Sequence, residues 1–323
     1  YITYHRMSRI VLSKGYYKNG ERDGEWIRYD IHGKITHKSY YKDGHKCNTW
    51  VWYDKDGEIT KEEKNYLAQG EYKDGEKDGT WTTYYDNGQV ESEENYKDGK
   101  RDGKWTSYYI NGRIKEEGNF QDGNKDGTWT TYYENGQVES EENYKDGELH
   151  GVSNQWYANG QKEYEGNYVS GEQDGLWSYW YESGQKKYQG VYKKNKLYTG
   201  IYKEWYPNGQ KKMEGPYHNA EKEGLWVFWD EKGHKLSAKE YLAGKMDGQF
   251  TEYFLSGVKQ FQGSYSQDQK DGIWKEWTES GYLILKNQYR QGKLNGIWKS
   301  YRSDGTKYWE GNYKVGLEDG RWT

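Results

Sequence analysis

Thr80 to Gly99 reads TWTTYYDNGQVESEENYKDG, and Thr128 to Gly147 reads TWTTYYENGQVESEENYKDG. Only Asp86 against Glu134 separates the two. Such self-similarity at a fixed period marks a repeat architecture and decides the fold before any local reading begins. Counted from the glycine of each DGxW tetrapeptide, the units start at Gly24, Asn48, Gly79, Gly103, Gly127, Gly151, Gly175, Gly200, Gly224, Gly248, Gly272, Gly296 and Gly320. Consecutive starts lie 24 residues apart with two exceptions: seven extra residues between Asn48 and Gly79, and one between Gly175 and Gly200.

Three columns carry the frame. Two residues after the start stand Trp26, Trp50, Trp81, Trp105, Trp129, Trp177, Trp226, Trp274, Trp298 and Trp322, with Tyr202 and Phe250 as substitutes and Ser153 as the one break. Five residues after the start is always aromatic, as at Tyr84, Tyr108, Tyr132, Trp156, Trp180, Trp205 and Trp229. Nine residues after it, from Gly33 to Gly305, is always glycine. Another aromatic follows later in the unit, as at Tyr96, Phe120 and Tyr144.

Each unit reads strand, turn, strand, turn. TWTTYY and QVESEENY are short, aromatic-rich and bounded by turn residues. Pairs such as Asn87-Gly88 and Asn111-Gly112 suit tight hairpin turns that need φ > 0, a region glycine enters freely and Asn tolerates. Helix is the poorer alternative, because a glycine in about every eight residues costs ~1 kcal/mol each in a helix interior. The fold class expected is all-β, an elongated, twisted antiparallel meander of tandem hairpins in which a two-strand unit advances roughly 10 Å and the array about 120 Å. No unit buries its aromatics alone; stacked neighbours do it together. The tryptophan column and the column three residues later have opposite parity, so aromatic ladders are expected on both faces unless a bulge shifts one. Residues 1–23 read as a degenerate capping repeat, and residues 24–323 as an array of about 12 units whose last strand is incomplete.

Composition agrees. Val, Ile, Leu and Phe make up only about an eighth of the 323 residues, and mean hydropathy is −1.41. A chain so poor in aliphatics leans towards disorder unless something else forms a core. Here 37 Tyr and 17 Trp do so, each able to bury ~150–250 Å². The 48 basic and 52 acidic residues are interleaved, without the basic stripe of a nucleic-acid binder. Cys47 is the only cysteine, so neither a disulfide framework nor a thiolate metal cage is available. Tyr1 in place of an initiator Met points to a removed leader or a longer protein, and a removed leader would place the chain in the cell envelope.

The repeats resemble MORN repeats, specifically the bacterial variant of YwqK-type proteins, whose pattern DGxWxxYYxNGxxxxExxYKDGxxDGxW the units follow from Gly79 onward. The second halves also carry the ordinary signature of that family: Tyr164-Glu165-Gly166-Asn167-Tyr168, Tyr188-Gln189-Gly190-Val191-Tyr192, Phe261-Gln262-Gly263-Ser264-Tyr265 and Trp309-Glu310-Gly311-Asn312-Tyr313. Met213-Glu214-Gly215-Pro216-Tyr217 is a near match. The resemblance implies a non-enzymatic scaffold that acts through partners, by assembly, dimerisation or membrane-proximal attachment.

No catalytic, cofactor-binding or metal-binding residue is assigned. Acidic pairs such as Glu93-Glu94 recur at repeat positions, whereas an active site is normally unique. Asp54-Lys55-Asp56-Gly57 hints at a calcium loop, but Asp56-Gly57 falls in the turn column and the turn reading prevails. The columns of Trp81, Tyr84, Trp105, Tyr108, Trp129, Tyr132, Trp177, Trp180, Trp226, Trp229, Trp274 and Trp298 read as structural. Departures from the pattern are the better candidates for partner contact. They are Leu67, Gln69, Glu71 and Tyr72 in the seven-residue excess, read as a projecting loop or enlarged hairpin; Ser153, Asn154 and Gln155 where the tryptophan is lost; and Asn195, Leu197 and Tyr198 around the single extra residue. The expected partner is a protein, with no nucleic acid and no cofactor. The alternative is a carbohydrate-binding module using exposed Trp and Tyr; weaker ones are attachment at a membrane surface, where near-neutral charge leaves only indirect contact, and the antitoxin-like partner binding that the resemblance also implies.

Overall fold

Gly103 to Asp126 shows how the sequence builds one unit in the computed structural model, which describes residues 1–4, 10–42, 44–65, 68–73, 76–85 and 87–323. The strands Lys100–Tyr108 and Ile114–Gln121 pair antiparallel, with Trp105 opposite Gly118 and Ser107 opposite Glu116. Between them Gly112 N donates to Tyr109 O at 2.8 Å and Tyr109 N to Arg113 O at 2.7 Å, closing a three-residue loop. Gly112 has φ +80°, while Asn111 stays on the ordinary side and its Oδ1 accepts from Arg113 N at 3.0 Å. The Asn-Gly pairs therefore form three-residue loops ended by a glycine bulge. They are not the two-residue turns in which both residues take positive φ. That second type occupies the other end of the unit, where Asp122 (φ 49°) and Gly123 (φ 90°) join Gln121 to Asn124.

The starting glycine has its own task. Register slips between Arg101 opposite Tyr96 and Trp105 opposite Glu94, and Gly103 at φ +104° sits in that bulge. The bulge lets the next turn dock: Gly123 N donates to Arg101 O at 2.8 Å, and Asp102 Oδ2 accepts from Asp122 N at 3.3 Å. The spacing of the paired KDG and DG elements thus has a physical cause. One supplies the turn, and the other the bulge and carboxylate that receive the following turn. Elsewhere the same bulge cuts a strand in two, at Glu172–Gln173 with Gly175–Trp180 and at Glu221–Lys222 with Gly224–Trp229. Pro216 is tolerated inside Lys211–His218 because its missing N–H faces this interruption, while its carbonyl accepts from Glu223 N at 3.0 Å.

The chain divides into two units, Tyr1–Gly136 and Gln137–Thr323. In both, consecutive strands pair antiparallel as a meander that does not close into a barrel. The first holds one sheet of six strands, from Ile2–Tyr4 to Ile59–Asn65, before pairing resumes at Ala68–Lys73. The seven-residue excess is therefore not a loop: Ala68–Lys73 is a strand paired with Glu76–Tyr84. Its sequence explains this, because Gly70 does under Trp81 what Gly118 does under Trp129.

The core is this tryptophan–glycine contact, repeated. A Cβ on Gly15, Gly70, Gly118, Gly166, Gly215, Gly263 or Gly311 would overlap the indole of Trp26, Trp81, Trp129, Trp177, Trp226, Trp274 or Trp322 respectively. The ring lies flat on bare backbone, and in Trp26, Trp129, Trp177, Trp226 and Trp274 its Nε1 donates to the carbonyl of the residue after the glycine. Examples are Trp129 to Asn119 O at 3.1 Å and Trp274 to Ser264 O at 3.0 Å. A second-strand aromatic meets it edge-on, as Phe120 meets Trp129 with centroids 5.0 Å apart, and a cation caps it, Lys125 Nζ lying 3.9 Å from the Trp129 ring. Lys77, Lys222 and Lys270 do the same for Trp81, Trp226 and Trp274, and Trp226 is 0% exposed. Where a bulkier residue faces the indole, as Glu94 faces Trp105 and Asn287 faces Trp298, the tryptophan is only half-buried.

Candidate functional site

The two aromatic columns lie on opposite faces, as their parity requires. On the face away from the buried tryptophans, Tyr108 and Tyr132 donate to Glu93 Oε2 and Glu117 Oε1, each at 2.8 Å. In the second unit this column becomes Trp156, Trp180, Trp205 and Trp229, all half-buried. Lysines fill the spaces between them: Lys162 lies 5.8 and 6.0 Å from the Trp156 and Trp180 rings, and Lys186 lies 5.6 and 6.0 Å from Trp180 and Trp205. Those lysines are already paired, Lys162 with Glu165 at 2.7 Å, Lys186 with Gln189 at 2.8 Å and Lys211 with Glu214 at 2.8 Å. Units are also tied together at the turns, where Tyr157 Oη donates to Trp180 O at 2.9 Å and Tyr206 Oη to Trp229 O at 3.0 Å.

Two of the three irregular stretches found in the sequence have a definite place. Leu67 lies outside the described residues, as do the side chains of Gln69, Glu71 and Tyr72, whose backbone belongs to Ala68–Lys73. Ser153 is 0% exposed and stands opposite Glu142, which leaves no glycine seat for a tryptophan. Asn154 and Gln155 are half-buried, and Asn154 Oδ1 accepts from Lys162 Nζ at 3.4 Å. Asn195 sits in a turn at φ 62° and its Oδ1 accepts from Gln173 N at 2.7 Å. The extra residue enlarges the bulge between Leu197 and Thr199. Leu197 thereby reaches the seat on Gly190, beside Tyr202, where other units place a tryptophan. Tyr198 packs under Lys193 Nζ at 4.9 Å. Ser153 to Gln155 and Asn195 to Tyr198 thus bracket one stretch of the second unit without joining into one cluster.

Between them the lost tryptophan is replaced by a tyrosine cluster. Tyr164 meets Trp177 and Tyr179 at 5.6 and 5.8 Å, and Tyr179 stacks on Tyr188 at 4.2 Å. Burial pushes the phenols up; Tyr179 and Tyr192 rise to about 12, and Tyr202 rises further. In the first unit a carboxylate is buried instead. Burial pushes Glu94 up, but hydrogen bonds from Arg101 and Tyr96 outweigh it and hold the carboxyl below the usual range.

Among the described residues no group of three or more His, Cys, Asp and Glu side chains is placed to hold a metal. Asp54 Oδ1 accepts from Asp56 N at 2.8 Å and Glu58 N at 3.0 Å, the geometry of a turn. Among the described residues no helix is long and apolar enough to cross a membrane.

The sequence reading missed one row. One residue after the unit start, the second unit carries Val152, Leu176, Ile201, Leu225, Ile273 and Ile297, all exposed. Leu176 is 55%, Ile201 49% and Leu225 51% exposed. Directly paired with Leu176 and Ile201 are Val191 and Pro216, so an aliphatic stripe crosses consecutive strands. Parity sets it on the face of Trp180, Trp205 and Trp229. The first unit has Thr80, Lys104 and Thr128 at these positions. The periodicity of the column was the available signal.

A tandem hairpin array of this kind defines a repeat protein. The MORN repeat variant family matches six of its units, at residues 77–98, 101–122, 125–146, 149–170, 173–194 and 198–219. Residues 77–219 thus carry six repeats that match this family, and the glycine of signatures such as Tyr164-Glu165-Gly166 is the tryptophan seat described above. No curated protein matches the chain at a significant level. Among solved structures it overlaps the crystal structure of TcdB2-TccC3-Cdc42 with 10% identity and a TM-score of 0.18, covering 95% of this chain and 18% of that one. It overlaps the Photorhabdus luminescens Tc holotoxin pore with 14% identity and a TM-score of 0.19, covering 98% and 19%. The chain thus spans about a fifth of the length of those chains, and overlaps at such TM-scores carry no argument about function.

Proposed function

We propose that the chain is a non-catalytic repeat scaffold that binds a protein through the exposed face of its second unit, flanked by the irregular stretches at Ser153–Gln155 and Asn195–Tyr198. The observation that carries this reading is the row of half-exposed aliphatics on a sheet whose core needs are already met by the opposite face. Contiguous apolar surface rimmed by polar groups is the mark of an interaction site. A carbohydrate platform is less well supported, because lysines occupy the edges of the tryptophan rings that a sugar would stack on. Attachment to an anionic membrane is weakened likewise, since Lys162 and Lys211 are paired with Glu165 and Glu214. Cross-linking mass spectrometry in the native cell tests the proposal. Intermolecular protein links are expected at Lys162, Lys186 and Lys211; links confined to the chain itself would count against it.

A further inference from the structure

We infer that the buried-tryptophan face of the second unit carries a binding site for a small phosphate monoester, held between the ammonium groups of Lys222 and Lys239. Both lysines share the face of Trp226, opposite to the aliphatic row, so the site is independent of the scaffold reading.

The two side chains reach the same ring. Lys222 Nζ lies 4.4 Å from the Trp226 ring and 5.7 Å from that of Phe228, while Lys239 Nζ lies 5.2 Å from Phe228 and 5.8 Å from Phe250. In the first unit carboxylates occupy the equivalent places. Glu116, nine residues before Lys125, binds it at 2.9 Å, whereas Met213 stands nine residues before Lys222. Glu94 faces Trp81 and Trp105 across the strands, and in the same column Lys239 faces Trp226 and Phe250. One acid is lost here and another is reversed in sign. Among the described residues neither lysine forms an ion pair: Glu204 is taken by Lys212 at 2.7 Å, and Glu252, diagonal to Lys239, bonds to neither. Burial, with the charge of Lys239 beside it, holds the Lys222 ammonium below the usual lysine range. Like charges so placed repel, and an anion between them removes the penalty. A phosphate monoester carries about −1.5 to −2 charge near neutral pH and three acceptor oxygens, enough to answer both ammonium groups, which one carboxylate does not. Lys222, Lys239 and Phe228 are all partly exposed, so the phosphate reaches the lysines from solvent while its organic body lies on the phenyl ring.

Isothermal titration of the full chain with phenyl phosphate, near neutral pH and at low ionic strength, is the test. Lys239→Gly and Lys222→Gln introduce residues that Gly190 and Gln173 already supply in these columns, and circular dichroism checks that each variant folds. One saturable site is expected in the wild type. Either variant is expected to bind at least about tenfold more weakly, the effect of losing one charged hydrogen bond. Lys211→Gln removes the same charge from the opposite face and is expected to bind as the wild type does. A wild type without saturable binding, a folded site variant that binds as well as the wild type, or equal weakening in Lys211→Gln would overturn the inference. Should neither site variant fold, mass spectrometry of the wild type treated with acetic anhydride decides. Phenyl phosphate is expected to protect Lys222 and Lys239 from acetylation; equal labelling with and without it overturns the inference.

Discussion

Whether a glycine is required depends on what its hydrogen faces. Gly112 and Gly118 lie six residues apart and resist substitution for different reasons. Gly112 has open space around it but φ +80°, so Gly112→Ala is expected to cost about 1–2 kcal/mol of backbone strain. Gly118 has ordinary backbone, yet any Cβ overlaps the Trp129 indole, and Gly118→Ala is expected to cost about 1–3 kcal/mol by overpacking. Urea unfolding gives the magnitudes, and tryptophan emission separates the causes. Only Gly118→Ala should shift it; a shift from Gly112→Ala instead would invert the assignment. The sequence made both glycines conspicuous as motif letters. It did not disclose the second role, because Gly118 and Trp129 meet across strands and nothing in a one-dimensional pattern says which indole needs which glycine.

At the level of the hairpin, turn chemistry makes a sharper forecast than strand propensity does. Asn219 and Ala220 occupy a two-residue turn at φ 49° and 67°, where most equivalent turns place glycine second. Alanine there pays the left-handed penalty, so Ala220→Gly is expected to stabilise the chain by about 1 kcal/mol in chemical denaturation. A loss of stability would mean that the alanine methyl contributes packing. The tyrosine cluster of the second unit sets a pH limit. Tyr179 and Tyr192 ionise near 12 when folded but near the ordinary value of 10.0 when unfolded. Their contribution is intact below pH 10 and is lost as pH rises towards 12, because the unfolded chain releases those protons first. Ultraviolet titration of the phenols should show a late-ionising class that appears together with loss of circular dichroism. Uniform ionisation at the ordinary value, with the fold retained, would refute the cluster. This element was the least legible in sequence: Ser153 stood out as a missing tryptophan, whereas Tyr164 and Tyr188 read only as signature letters and Tyr179 as an ordinary strand residue, until adjacent strands brought them together.

Across each unit of the molecule, the regular features were readable in advance and the exceptions were not. Period, strand–turn alternation and opposite-face aromatic columns follow from parity and turn residues alone. The seven-residue excess, open in sequence to a projecting loop or an enlarged hairpin, holds the strand Ala68–Lys73, because its strand character depends on Gly70 receiving Trp81, a contact made with the following strand. The exposed aliphatic row escaped because a lone Leu176 or Ile201 beside a glycine is unremarkable; only the column shows it. The central claim is that each unit is held by its neighbours through one interchangeable contact set, with no single site on which the whole depends. Removing Gly272–Asn295, one full period, tests it most directly. The excision joins Asp271 to Gly296 and sets Trp298 on the Gly263 seat that Trp274 vacates, beneath Lys270. In calorimetry the shortened chain is expected to unfold cooperatively, with a midpoint within a few degrees of the full chain and circular dichroism per residue unchanged. A chain that fails to fold after this in-register excision, or that tolerates removal of Gly272–Leu283 equally well, would contradict the claim.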